Sequence, residues 1–179
     1  KTATNGGDDP DPAQQPHDIT IDGLYMHDYT TDNPGTGHMD CLHVFYHYNL
    51  TVKNSKFIRC GLPKAGYGIL LGSNGPGRVE HDVFENDVFD GAIAGFALRG
   101  GTGEDFNDVQ VRYNSGGLIT TQTTNTLTNV SWLANAATDI GPCRASSYSY
   151  NISTSTACGP TDLKSDPKFT SPSTGNYNL

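Results

Sequence analysis

Three short phrases in this chain are variants of one pattern: Ile21-Asp22-Gly23-Leu24-Tyr25-Met26, Val52-Lys53-Asn54-Ser55-Lys56-Phe57 and Phe84-Glu85-Asn86-Asp87-Val88-Phe89. Each runs apolar, charged, Asn or Gly, then apolar or aromatic. Val111-Arg112-Tyr113-Asn114 is a weaker fourth copy. Their first residues fall 31, 32 and 27 positions apart. Similarity at that period marks a solenoid, in which each repeat forms one coil and buries its apolar face only against its neighbours. In a β-solenoid, equivalent residues of successive coils stack about 4.8 Å apart. The repeat therefore predicts an inward stack of Ile21, Val52, Phe84 and Val111, with Phe57 and Phe89 stacked one turn later. The following position stacks Asp22, Lys53, Glu85 and Arg112, a ladder of alternating charge that is mildly favourable across adjacent strands. Asn54 and Asn86 fall at the turn, where Asn tolerates left-handed backbone.

The intervening sequence agrees. Short segments with period-2 alternation or β-branched and aromatic residues recur at Ile19–Ile21, Cys41–Phe45, Leu50–Val52, Tyr67–Leu71, Val83–Phe84, Gly95–Leu98, Val109–Val111, Leu118–Thr121, Leu127–Trp132 and Tyr148–Ile152. Between them lie turn clusters such as Asn33-Pro34-Gly35, Ser73-Asn74-Gly75-Pro76-Gly77 and Gly100-Gly101-Thr102-Gly103. No stretch sustains a 3.6 period with caps, so little helix is expected. Residues 1–16 are polar, acidic and Pro-rich and read as an extended leader, with Asp8, Asp9 and Asp11 solubilising it. The expected β domain spans 17–179. Such a leader is too polar to cap a solenoid end. The first coil is therefore expected to pack against missing N-terminal sequence or another chain.

The chain has 179 residues, enough for one domain with a real core. The net charge of −8 argues against nucleic acid and anionic membranes, which need basic patches; an acidic polysaccharide would need a locally basic groove. No apolar run approaches the roughly 18 residues of a membrane span. Four cysteines fall as local pairs, Cys41/Cys60 and Cys143/Cys158. Of three possible connectivities the local one is expected, the other reading being four buried thiols. The absence of CxxC speaks against structural zinc. The sequons at Asn49, Asn129 and Asn151 read best as turns that open the next strand, with glycosylation the second reading.

These phrases, with Met39-Asp40-Cys41-Leu42-His43-Val44 before a coil and Asp166-Pro167-Lys168-Phe169, Pro172 and Gly175-Asn176-Tyr177-Asn178-Leu179 at the close, resemble the right-handed parallel β-helix proteins of the pectate-lyase-like superfamily, especially secreted bacterial members. The resemblance covers about residues 17–179. It implies a right-handed parallel β-helix of five or six coils, a secreted location and an acidic polysaccharide as partner. The family includes lyases, polygalacturonases, epimerases, tailspikes and proteins with no known activity. The paired-Asp and Arg-x-Lys signatures of polygalacturonases are absent, and Gly37-His38-Met39 is not their Gly-His-Gly. What remains is a polysaccharide lyase-like protein or, alternatively, a non-catalytic glycan-binding or structural module.

The densest chemistry-bearing cluster is His38, Asp40, His43 and His47, interleaved with Tyr46 and Tyr48. If Leu42 and Val44 face the core, period 2 turns His43 outward. His can serve as general base and Tyr as acid in β-elimination from a uronic acid; metal binding by His and Asp is a second reading. A lyase must also neutralise the substrate carboxylate. The candidate cations are Lys53, Arg59, Lys64, Arg78, Arg99 and Arg112. Arg99 follows Phe96 and Leu98 and is expected outward on the face of His43. His43, Arg99, His38 and Asp40 are therefore the candidate catalytic residues, and Tyr46, His47, Lys53 and Arg112 the candidate substrate contacts. The acidic run Glu80–Asp87 with Asp90 offers oxygen ligands for Ca²⁺, although a solvated strand edge is the expected reading.

Overall fold

A computed structural model describes residues 15–30, 38–63, 65–72, 77–101, 103–123 and 125–178. The leader through residue 14, Lys64 and the turn residues 33–35, 73–76 and 102 lie outside these. Regular structure among the described residues is β-strand, apart from a 3-10 turn at Pro172–Thr174. The first pass of the chain carries β1 (His17–Asp22), β2 (Tyr25–His27) and β3 (Leu42–Val44). The second carries β4 (His47–Lys53), β5 (Lys56–Cys60) and β6 (Tyr67–Leu71), the third β7 (Gly77–Glu85), β8 (Val88–Gly91) and β9 (Ala94–Leu98). Then come β10 (Glu104–Arg112) and β11 (Ser115–Thr121), followed by β12 (Leu127–Thr128), β13 (Ser131–Leu133) and β14 (Ala136–Asp139). The last strands are β15 (Ser147–Ser149), β16 (Ile152–Ser153) and β17 (Leu163–Lys164).

Every one of these strands pairs in parallel with its counterpart one pass away. One ladder runs β1-β4-β7-β10-β13-β15, with β12 also on β10. A second runs β2-β5-β8-β11-β14-β16-β17, and a third, β3-β6-β9, joins it at β11. β11 serves both because it is long enough: Ser115 pairs with Val88 of the second ladder and Ile119 with Phe96 of the third. The fold is thus all-β, built of stacked parallel ladders as in a β-solenoid.

The register follows the repeat. Ile21, Val52, Phe84 and Val111 are in line, and the line continues through Trp132 and Tyr148. Val52, Phe84 and Val111 are fully buried, as are the paired Phe57 and Phe89. Phe96 ties the columns together, 4.9 Å from Phe84, 5.3 Å from Phe89 and 5.7 Å from Trp132 between ring centres. Burying one such ring stabilises the fold by roughly 1.5–3 kcal/mol, so this aromatic spine is the main cohesive element. Asp22, Lys53, Glu85 and Arg112 also stack in register. Lys53 lies 3.4 Å from Asp22, and Arg112 donates to Glu85 at 2.7 and 2.9 Å.

At the next position the chain turns through left-handed backbone in every pass: Gly23, Asn54, Asn86, Tyr113, Ala134 and Tyr150 all have φ between +52° and +71°. Asn86 donates to Asn54, which donates to Asp22. One residue further, a buried polar column runs Ser55, Asp87, Asn114, Asn135 and Asn151. Each backbone N–H donates to the side-chain oxygen of the next rung, at 2.7–3.1 Å, ending on Asp162. This column satisfies the backbone where the ladder is interrupted, which is what buried N–H groups require.

Several expectations are corrected. The acidic run is not a solvated edge throughout: Asp82 and Asp87 are buried. A second left-handed column, Asp18, Asn49, His81, Asp108 and Asn129, bends the first ladder and turns Asp82 inward. The segments 127–132 and 148–152 each split in two, because Asn129 and Tyr150 are left-handed. Asn129 and Asn151 lie between strands, as expected, but Asn49 sits within β4 at its left-handed bend; the Asn49 and Asn129 amides donate to Asp18 and Asp108. Both local disulfides are formed, Cys41–Cys60 and Cys143–Cys158.

Candidate functional site

The third ladder carries the histidine cluster. The Cys41–Cys60 bridge anchors the chain where it enters β3, immediately after Asp40. Cys41 donates its N–H to Tyr67 O, and Tyr67 N–H donates to Asp40 Oδ1 at 3.1 Å. Asp40 is thereby held almost fully buried, its side chain 3 % exposed, at the lip of β3. Leu42 and Val44 pack on the core and His43 turns away from it, as period 2 predicts.

Asp40 binds two histidines at once. His38 Nδ1 lies 2.8 and 2.9 Å from its two oxygens, and His43 Nδ1 lies 3.2 Å from Oδ2. Burial by itself would push the Asp40 carboxyl up; the hydrogen bonds from His43 and then His38 outweigh it and hold the group below its ordinary range. The carboxylate is therefore ionised and fixes both rings. His38 presents Nδ1 to it, and its side chain is 29 % exposed, with no hydrogen bond from Nε2 among the described residues. His43 is different. Its Nε2 lies 3.0 Å from the Gly72 carbonyl oxygen, so both ring nitrogens face acceptors. The His43 ring stacks on Phe45 at 4.3 Å, and His38 meets Tyr67 edge-on at 5.6 Å. Tyr67 itself donates its hydroxyl to Gln122.

The other sequence-derived residues do not all join this cluster. Arg99 is exposed at the end of β9. His43, Leu70 and Ala97 are in register, which places Arg99 two rungs and two residues from His43, about 12 Å away by strand geometry. His47 and Tyr46, expected to meet substrate, are buried instead. His47 points into the core, with Nε2 2.7 Å from Asp82 Oδ2 and Nδ1 against the Phe45 carbonyl. Burial opposes its charge, but Asp82 beside it raises its pKa overall. Asp82 Oδ1 also accepts the Leu50 N–H. Lys53 and Arg112 belong to the charge ladder of the first face.

The acidic run disperses rather than converging. Glu80 meets Arg78, Asp82 meets His47, Glu85 meets Arg112, and Asp90 accepts from Tyr177. No group of three His, Cys, Asp or Glu side chains among the described residues is arranged to hold a metal ion. Tyr67, Gly72 and Gln122 are the site residues that the sequence reading missed. The repeat carried a signal for two of them: Tyr67 and Gly72 lie 27 and 29 positions beyond Asp40 and His43, about one pass of the chain.

Comparison with known protein families, curated proteins and solved structures returns no match. Among the described residues no helix is long and apolar enough to cross a membrane.

Proposed function

We propose that this chain is a secreted, right-handed parallel β-helix of the pectate-lyase-like type that cleaves an acidic polysaccharide by β-elimination. The observation that carries this reading is the sharing of one buried carboxylate by two surface histidines. Asp40 holds Nδ1 of both rings, which sets His38 as the general base beside His43 as the group that meets the substrate carboxylate. These are the two functions a lyase needs.

In this reading His43 neutralises the carboxylate of a bound uronic acid and so acidifies the proton on the adjacent carbon, C5. His38 Nε2 accepts that proton. The electron pair left behind forms the C4–C5 double bond as the C4–oxygen bond of the glycosidic link breaks. The departing oxygen takes the proton back from His38, and the enzyme is restored. Arg99, about two rungs along, meets the carboxylate of a neighbouring sugar. The two disulfides agree with an oxidising, extracellular setting.

The test is incubation with a panel of uronic-acid polysaccharides while following the ultraviolet absorbance of new 4,5-unsaturated ends. Turnover by the native chain is expected, with a loss of roughly 10²–10⁴-fold for His38→Ala. Silence on every substrate, or turnover untouched by both His38→Ala and His43→Ala, overturns the lyase reading and leaves a glycan-binding or structural module.

A further inference from the structure

A second feature lies on the face formed by the second ladder, away from the histidine cluster. The C-terminal segment folds back over this face as a strap. It is closed by the Ser171–Asn176 bridge and the Pro172–Thr174 turn. It is pinned at three points. Arg59 donates to Thr174 O at 3.1 Å, and the Tyr177 hydroxyl donates to Asp90 at 3.1 Å. Gly175, with φ +78°, lies so close to Ile58 that a Cβ there would come within 2.4 Å of it. Between strap and sheet a groove of about 530 Å³ remains open.

Its floor is made by Tyr25, Lys56 and Val88, which are in register on three successive passes. The groove thus runs along the stacking axis, with a step of about 4.8 Å per pass. That step is close to the length of one pyranose in an extended polysaccharide. Tyr25 is 58 % exposed, and its ring stacks on His27 at 4.5 Å, so a flat aromatic surface is held ready. Lys56 beside it is exposed and has no ion-pair partner among the described residues. Arg59 and Asn178 complete the polar rim. The chain carries 19 Asp and Glu against 11 Lys and Arg, yet no carboxylate lines this groove. Arg59 is itself paired with Asp28, so Lys56 is the cation this groove offers to an anionic polymer.

We infer that the groove between the second ladder and the C-terminal strap is an accessory binding site for an acidic polysaccharide, with Tyr25 stacking on a sugar face and Lys56 pairing with a uronate carboxylate. The inference rests on the acidic-polysaccharide reading above and gives the polymer a second foothold outside the cluster at His38 and His43.

The experiment is titration of the native chain and of Tyr25→Ala, Lys56→Glu and the double variant His38→Ala/His43→Ala with short galacturonate oligomers, followed by calorimetry at low and moderate salt. Tyr25 and Lys56 are both exposed, and circular dichroism checks that the variants remain folded. Each of Tyr25→Ala and Lys56→Glu is expected to weaken one class of site about tenfold or more, with a salt dependence that Lys56→Glu removes. The double histidine variant should leave that class of site intact. Affinity unchanged in both groove variants, in a chain that still binds the oligomer, overturns the accessory site alone. No binding of the oligomer or of any other uronate polymer by the native chain overturns the acidic-polysaccharide reading and the groove together.

Discussion

Asp87 donates its backbone N–H to the Asn114 side-chain oxygen at 2.8 Å, but has no amide with which to continue the pattern that Asn114 sets. Asn114, Asn135 and Asn151 each give their Nδ2 to a carbonyl one pass back, on Phe84, Val111 and Trp132. The equivalent acceptor for Asp87 is the Val52 carbonyl. Asp87 Oδ1 accepts the Ser55 N–H, while Oδ2 is buried without a hydrogen-bond partner. Burial, with Glu85 and Asp22 adding to it, pushes the carboxyl up to about 7 against the Ser55 hydrogen bond that opposes the shift. A proton on Oδ2 makes this acid an asparagine mimic. Because the folded state holds that proton more tightly than the unfolded chain, stability is greatest below the unfolded value of 3.8. It is lost as pH rises toward 7, by up to about 4 kcal/mol. Urea titrations at pH 5 and pH 8 should show the native chain losing clearly more stability at pH 8 than Asp87→Asn, which keeps only the His47 part of the loss; equal losses in both would refute the assignment.

His47 and Asp82 form an ion pair inside the core between the second and third passes. Removing one partner strands the other without water. Asp82→Ala is therefore expected to cost about 3–5 kcal/mol, whereas a paired replacement by apolar residues should cost far less. The raised pKa of His47 also carries a sign: its contribution is full below the ordinary 6.5 and is lost as pH passes the higher folded value. A denaturant series on the single and double variants checks both statements.

Asp40 orients the two surface histidines, so Asp40→Asn should leave the fold intact and disorganise the site. The expected result is a fall in any lyase turnover of at least 10²-fold, beside only the modest drop in melting temperature that loss of the His38 and His43 contacts brings. Because the Asp40 carboxyl is held below its usual range, its stabilising contribution is present above 3.8 and is lost only as pH falls through the lower folded value. Histidine NMR spectra taken from pH 5 down to 2 would reveal where the cluster comes apart.

The Cys41–Cys60 bridge closes 19 residues around the second pass. Replacing both cysteines by serine should cost about 3 kcal/mol in the chain-entropy model. It should also loosen the entry to β3, measurable as faster amide exchange at Tyr67, whose N–H Asp40 accepts.

Asn135→Ala removes four hydrogen bonds of the polar column at once, those with Asn114, Val111 and Asn151. Buried groups on both neighbouring passes lose their partners, and a cost of about 3 kcal/mol is expected. An exposed control such as Thr128→Ala should shift the midpoint little.

The stacking of Val52 on Phe84 and of Lys53 on Glu85 was legible in the amino-acid order. A repeat of near-constant length translates directly into register, and period 2 decides which residues of a strand face inward. The same rule placed His43 outward and Asn54 over Asn86. The strands of the second ladder were harder to read, because segments such as Tyr25–His27 and Val88–Gly91 are too short to show any period.

The sequence by itself determined the parallel stack and its register, since both follow from spacing along the chain; it favoured the local disulfide pairing, which the folded structure shows formed. Tertiary structure alone decided the fate of the polar residues. His47 and Asp82 stand 35 positions apart, Asp40 and Tyr67 27, and Arg59 and the strap 115. Left-handed residues such as Asn49 and His81 turn individual side chains from one face to the other. Whether a carboxylate is solvated, paired or protonated depends on what the neighbouring pass brings beside it. That is why Asp87 reads as a surface acid in the chain and stands as a buried one in the fold.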